Sequence, residues 1–142
     1  MLTQVSEFAV NHPFLVIAFM TLLALVIFNE VKIASQRFAA LSPAGAVQLM
    51  NNEDVVVVDV REPSETTGGK IAKAVQIPFS GLSTRINELE KHKDKNLLVY
   101  CKTGARSGSA CKQLGKAGFD KVYSLNGGLV AWQEAHLPIS KK

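Results

Sequence analysis

The residues best suited to chemistry lie in one short stretch, Cys101-Lys-Thr-Gly-Ala-Arg-Ser107. A cysteine thiolate is a soft nucleophile that attacks sulfur far better than oxygen does. Gly104 admits backbone conformations that a side chain would block, so successive N–H groups can turn inward as an anion cradle. Arg106 stands at the start of the next expected helix, whose positive N-terminal end favours an anion, and Lys102 adds a second cation. Together Gly104, Arg106 with its helix end, and Lys102 are expected to lower the pKa of Cys101 and to hold a negatively charged sulfur with no histidine base. A lone cysteine is more often buried and inert. The strand–Cys–Gly–Arg–helix order favours the nucleophile here. Cys111 falls about a turn inside that helix, where a small apolar residue belongs, and reads as core, with a resolving thiol as the minor alternative.

The elements that must position this stretch follow from residue patterning. Ser42-Pro43 starts a helix, with Ser as N-cap and Pro at the first position, and Ala46, Leu49 and Met50 give it an apolar face. Asp54 to Asp59 is a β-branched run that reads as a strand buried on both faces. Ala74 to Ile77 is a second short strand, stopped by Pro78. Leu82, Ile86 and Leu89 fall at helical spacing, with Arg85, Glu88 and Glu90 outward. Asn96 to Tyr100 is a third strand, and Ser107 to Ala117 a helix ended by Gly118. Lys121 to Leu125 is a fourth strand, followed by the tight Gly127-Gly128 turn and a last helix bearing Trp132. Strands alternating with helices imply an α/β domain with a mostly parallel sheet covered on both faces, and ligands of such sheets bind at the C-terminal strand ends. Cys101 sits at such an end.

Ahead of this domain, the segment from Phe8 to Asn29 carries no Lys, Arg, Asp or Glu. Its core, Pro13 to Phe28, makes about 24 Å of helix, and the neutral flanks bring it to roughly 30 Å, the thickness of a hydrocarbon core. No cationic residue precedes it, as a signal peptide requires, and it lacks the polar face of a soluble helix. We expect an N-terminal transmembrane anchor over residues 1–37, with a helix at about 8–29 and a juxtamembrane linker, and a second domain over 38–142. Lys32 and Arg37 follow the helix, so the positive-inside rule places the N-terminus outside and the C-terminal domain in the cytoplasm, where thiols stay reduced.

The order of these motifs resembles the rhodanese (sulfurtransferase) domain family over residues 38–138. The likeness rests on Ser42-Pro43, Asp59-Val-Arg61-Glu62 after the buried strand, the loop from Cys101 to Ser107, and Asn126-Gly-Gly-Leu-Val-Ala-Trp132. A single domain behind an N-terminal anchor is similar to the membrane-anchored bacterial members, which implies the bacterial inner membrane. The resemblance implies a rhodanese-like fold with a central five-stranded parallel sheet flanked by helices on both faces. It also implies a two-step reaction in which Cys101 takes a sulfane sulfur from a donor such as thiosulfate or a persulfide, becomes a persulfide cradled by the backbone amides of the loop Lys102, Thr103, Gly104, Ala105, Arg106 and Ser107, and passes the sulfur to a thiol or cyanide. Asp59 and Arg61 match the family's supporting polar pair, with structural ion pairing as the plainer role. Gly69-Lys-Ile-Ala-Lys-Ala74 departs from the family's Gly-His-Ile-Pro-Gly-Ala, so the turn before the second strand is open to change.

The residues also bear on two other functions. A cysteine phosphatase or arsenate reductase of the same fold places its arginine six residues after the cysteine. Here Arg106 comes five after, and the smaller ring suits sulfur better than a tetrahedral phosphate. A membrane-tethered interaction module is the alternative from another class, and Cys101 argues against it as the sole role. Net charge is only +4 and no basic stripe carries aromatics, so nucleic acid is not expected as a partner. Two cysteines and three scattered histidines make neither a disulfide framework nor a zinc site. No cofactor is expected beyond the covalent persulfide. The expected partners are a small anionic sulfur donor, or a protein persulfide, and a thiol acceptor.

Overall fold

The computed structural model describes residues 2–34 and 38–141. They fall in two compact units, Met1–Gln36 and Arg37–Lys142.

The first unit is two helices, where the sequence reading has one from about residue 8 to 29. Helix α1 covers Leu2–Asn11 and α2 covers Pro13–Ala34. Proline supplies the break, because it lacks an N–H and its ring collides with the carbonyl four residues back. The His12 amide still bonds to the Phe8 carbonyl at 2.9 Å, and the His12 carbonyl then receives the first amides of α2. Within α2, Pro13–Val31 has a mean hydropathy of 2.4 and none of it is buried in the protein. One helix near the N-terminus is thus long and apolar enough to cross a membrane. Its single hydroxyl within the apolar run, Thr21, donates to the Ile17 carbonyl at 2.8 Å, so that polar group is satisfied inside the helix. Residues 35–37 of the expected linker, Arg37 among them, lie outside the described residues. Glu30–Ala34, assigned to the linker from sequence, continue α2.

The second unit is built on a five-stranded sheet whose described pairings are all parallel: β1 (Ala39–Leu41), β2 (Val55–Asp59), β3 (Val75–Gln76), β4 (Asn96–Tyr100) and β5 (Val122–Leu125), in the order β1-β5-β4-β2-β3. Neighbouring residues of β2 and β4 point to opposite faces and feed two cores. Val58, Leu97 and Val99 pack with Leu82, Leu89, Ala110, Leu114 and Phe119 on one side. Val57, Leu98 and Tyr100 pack with Ala46, Leu129 and Trp132 on the other. Helix α3 (Pro43–Asn52) begins as its sequence dictates, with Ser42 Oγ accepting the Gly45 amide at 3.2 Å. A cap of this kind contributes about 1 kcal/mol.

Two elements differ from the residue-level reading. Strand β1 has no strand signature of its own and exists because it pairs with β5, Ala39 opposite Tyr123. The Leu82–Leu89 segment is a short α4 (Leu82–Arg85) between two 3₁₀ stretches, Phe79–Gly81 and Ile86–His92. Leu82 and Leu89 are buried as the spacing predicts. The departure from family pattern at Gly69–Ala74 is held by a two-way bridge, with Lys70 N to Ser140 O at 2.9 Å and Ser140 N to Lys70 O at 2.7 Å.

Candidate active site

Strand β4 is the middle strand of the five and ends at Tyr100, so Cys101 leaves the sheet at its C-terminal edge. Helix α5 covers Ala105–Lys116, which puts Ala105, Arg106 and Ser107 in its first turn and leaves Lys102–Gly104 as the connection. Gly104 makes so short a connection possible at φ +101°, a left-handed conformation that side chains rarely adopt. Its amide then points back at the cysteine and donates to Cys101 Sγ at 3.0 Å. Ser107 Oγ lies 3.9 Å from the same sulfur, donates to the Gly104 carbonyl at 2.9 Å, and sits 2.9 Å from Ser124 Oγ.

Cys101 is only 1% exposed. Burial alone pushes a thiol's pKa up. Here hydrogen bonding from the Ser107, Gly104 and Thr103 amides, with a smaller contribution from the Ser107 side chain, outweighs it, and the Cys101 pKa lies below that of an ordinary thiol. Cys111, also 1% exposed, has no such cradle, and burial pushes its pKa up to about 12 despite the Ser124 hydroxyl. The two thiols therefore separate by pH. Iodoacetamide labelling of Cys101 should reach half-maximal rate at lower pH than free cysteine run alongside, with Cys111 unlabelled across the range. Peptide mass spectrometry reads both positions, and a Cys101 midpoint at or above the free thiol's would contradict the cradle.

The loop is held from behind by helix α6 (Gly128–Glu134), whose first amides cap it. Leu129 N donates to the Cys101 carbonyl at 2.9 Å and Val130 N to the Lys102 carbonyl at 3.1 Å. This approach is so close that a Cβ on Gly128 would lie 2.5 Å from the Cys101 carbonyl oxygen. The Gly127-Gly128 pair, read from sequence as a turn alone, also buttresses the cysteine loop.

Asp59 and Arg61 stand at the end of β2, beside β4. Asp59 is fully buried and Arg61 is 3% exposed. The guanidinium meets both carboxylate oxygens, Nη2 to Oδ2 at 2.7 Å and Nε to Oδ1 at 3.0 Å, and donates further to the Glu65 and Gly69 carbonyls. Tyr100 completes the knot by donating to Asp59 Oδ2 at 2.7 Å and accepting the Ile71 amide at 3.1 Å. The pair thus fixes the backbone of residues 61–71 beside the site.

Of the loop's side chains, Lys102, Thr103 and Ala105 are exposed. Arg106, read from sequence as a cation for the loop, turns to Glu65 in a bidentate ion pair at 2.6 and 2.7 Å. Glu65, Tyr100 and Ser124 were not singled out by the sequence reading. Each meets its partner across many residues of chain, and no local spacing marks it. No group of residues able to hold a metal ion occurs among the described residues.

A cysteine presented to an amide cradle at the C-terminal edge of a five-stranded parallel sheet defines the class. The rhodanese-like domain family model matches residues 42–135. The chain is 33% identical over 137 residues to the uncharacterized protein YibN of Escherichia coli K12, covering 96% of each. It is 40% identical over 92 residues to a sulfurtransferase of Allochromatium vinosum, covering 65% of this chain and 84% of that one. Among solved structures, a rhodanese-related protein of Thermoplasma volcanium superposes with a TM-score of 0.67 at 31% identity, over 73% of this chain and 99% of that one. The chain belongs to the rhodanese-like domain family, and its family-level class is sulfurtransferase.

Proposed function

We propose that this chain is a thiosulfate or persulfide sulfurtransferase with Cys101 as its catalytic nucleophile. The observation that carries the reading is the Gly104 amide aimed at Cys101 Sγ from 3.0 Å in the turn that opens α5. The Cys101 thiolate attacks the outer sulfur of the donor. The donor's S–S bond breaks and its inner part leaves with the electron pair, as sulfite from thiosulfate or as a thiolate from a persulfide. The new Cys101 persulfide lies against the amides of Thr103, Gly104 and Ser107. A thiol or cyanide acceptor then attacks the outer sulfur, and the Cys101 thiolate leaves. Sulfur changes hands with no net oxidant and no cofactor. Asp59 and Arg61 act as supports that hold the adjoining segment in place.

In the same reading α2 anchors the chain in a bacterial inner membrane with the second unit on the cytoplasmic side. The hydropathy of Pro13–Val31 supports the span, and Lys32 and Arg37 after it support the direction. The full chain in detergent should gain one sulfur atom on the Cys101 peptide after exposure to thiosulfate or glutathione persulfide, and lose it to cyanide as thiocyanate. No added sulfur from either donor would sink the proposal.

A further inference from the structure

Glu65 ends the single 3₁₀ turn Pro63–Glu65, and its carboxylate occupies the Arg106 guanidinium completely on one side. Arg106 Nη1 reaches Oε2 at 2.6 Å and Nη2 reaches Oε1 at 2.7 Å, while Oε2 also takes the Glu62 amide at 3.0 Å. The backbone of Glu65 is itself fixed, because its carbonyl accepts Arg61 Nη1 at 2.9 Å from the buried pair with Asp59. Hydrogen bonding from Arg106, and then from the Glu62 amide, draws the Glu65 carboxyl down to about 2, so it stays ionised at any working pH. Arg106 follows Cys101 by five positions, in the helical turn that cradles the sulfur.

The charge next to the nucleophile is therefore smaller than the sequence suggests. Of the two loop cations, Arg106 is neutralised and Lys102 remains. Beside the loop lies a cleft of about 400 Å³ lined by Glu65, Lys102, Gln133 and the apolar Leu129 and Val130. A compact dianion gains little in such a place, because a free Arg fork is the group that binds oxyanions bidentately and this one is taken. A donor with one charge and an organic body fits better, with Lys102 for the charge and Leu129 and Val130 for the body.

We propose that Glu65 is a specificity-determining residue: by occupying Arg106 it turns the Cys101 site away from compact dianionic sulfur donors and toward small organic persulfides. The proposal rests on the sulfur-transfer reading above and narrows its donor. The bond chemistry is the same for both donors. Cys101 forms the new S–S bond, the donor's S–S bond breaks, and sulfite or an organic thiolate carries off the electron pair.

The test compares kcat/KM for thiosulfate and for 2-hydroxyethyl persulfide, an organic persulfide with a single charge, with cyanide as acceptor, in the full chain in detergent. The wild type should favour the persulfide. Glu65→Gln keeps the size and an acceptor for the Glu62 amide but removes the charge. It should raise the thiosulfate-to-persulfide ratio about tenfold, the worth of one charge-assisted contact discounted for exposure. The gain should fall mainly on the thiosulfate KM and shrink as salt is added. In Glu65→Gln/Arg106→Gln the gain should vanish, and Glu65→Asp should leave the ratio near wild type. A wild type that prefers thiosulfate, a ratio unmoved by Glu65→Gln, or a gain that survives loss of Arg106 would overturn the proposal. A wild type that transfers sulfur from neither donor would instead bring down the sulfur-transfer reading itself.

Discussion

Asp59→Ala should cost the second unit about 3–5 kcal/mol, the usual penalty for stripping the partner from a buried charge. Arg61 is 3% exposed and would keep its guanidinium inside with no carboxylate against it. The Tyr100 hydroxyl would lose its acceptor at 2.7 Å in the same step. These losses overlap and do not simply add. For a domain of this size each kcal/mol moves Tm by roughly 4–8 °C, so the expected drop is about 12–40 °C. Trp132 is the chain's only tryptophan and is 3% exposed, which makes its emission a readout of the second unit alone. Removing both partners in Asp59→Ala/Arg61→Ala should recover part of the loss, since no lone charge is left behind. That recovery has a limit, because Arg61 also satisfies the Glu65 and Gly69 carbonyls. A drop below about 5 °C in Asp59→Ala would mean that water reaches the pair, and the account of it as a buried knot would be wrong.

The consequence reaches the site through Glu65. The Asp59–Arg61 pair holds the Glu65 carbonyl, and the Glu65 side chain holds Arg106 in the first turn of α5. A support at the end of β2 is thus joined to the cysteine loop at the end of β4 through one acidic residue.

What could be read from sequence was local. The Cys101–Ser107 stretch is contiguous, so its spacing alone suggested a strand-to-helix turn with amides facing the sulfur, and Gly104 at φ +101° is the conformation such a turn needs. The valine run of β2 and the apolar β4 declared themselves in the same way, since strands buried on both faces are uniformly apolar. Ala39–Leu41 did not, because small residues carry almost no strand preference and β1 is a strand only by pairing with β5, some eighty residues further along the chain. Leu82, Ile86 and Leu89 marked a buried face but not the winding of the backbone. The step from Ile86 to Leu89 suits a 3₁₀ helix as well as an α-helix, and the structure takes both forms. Glu65 and Arg106 are 41 positions apart, as are Tyr100 and Asp59. Only the fold brings such pairs together, which is why the charge at the site was overestimated from the loop's own residues.

Cys101→Ser should leave the fold standing and remove sulfur transfer, a fall in rate of at least about 10³-fold. The serine oxygen is close to isosteric and can take over the Gly104 amide, so the shift in stability should stay within about 1 kcal/mol. A hydroxyl in this cradle nonetheless has no route to a persulfide, because an oxygen attacks a sulfane sulfur poorly and cannot carry it stably. Cys111 offers no rescue. Burial pushes its pKa up to about 12, so it is protonated at neutral pH. Cys111→Ser should accordingly retain most of the transfer rate. Thiocyanate formation measures the first variant against the second, and Trp132 emission shows that both are folded. Residual transfer above a tenth of wild type in Cys101→Ser would remove Cys101 from the centre of the chemistry. The same variant separates chemistry from tethering in cells. If Cys101→Ser restores a deletion strain as fully as wild type, the main work of the chain is docking at the membrane. If it fails while present at wild-type level, the sulfur on Cys101 is what the chain supplies.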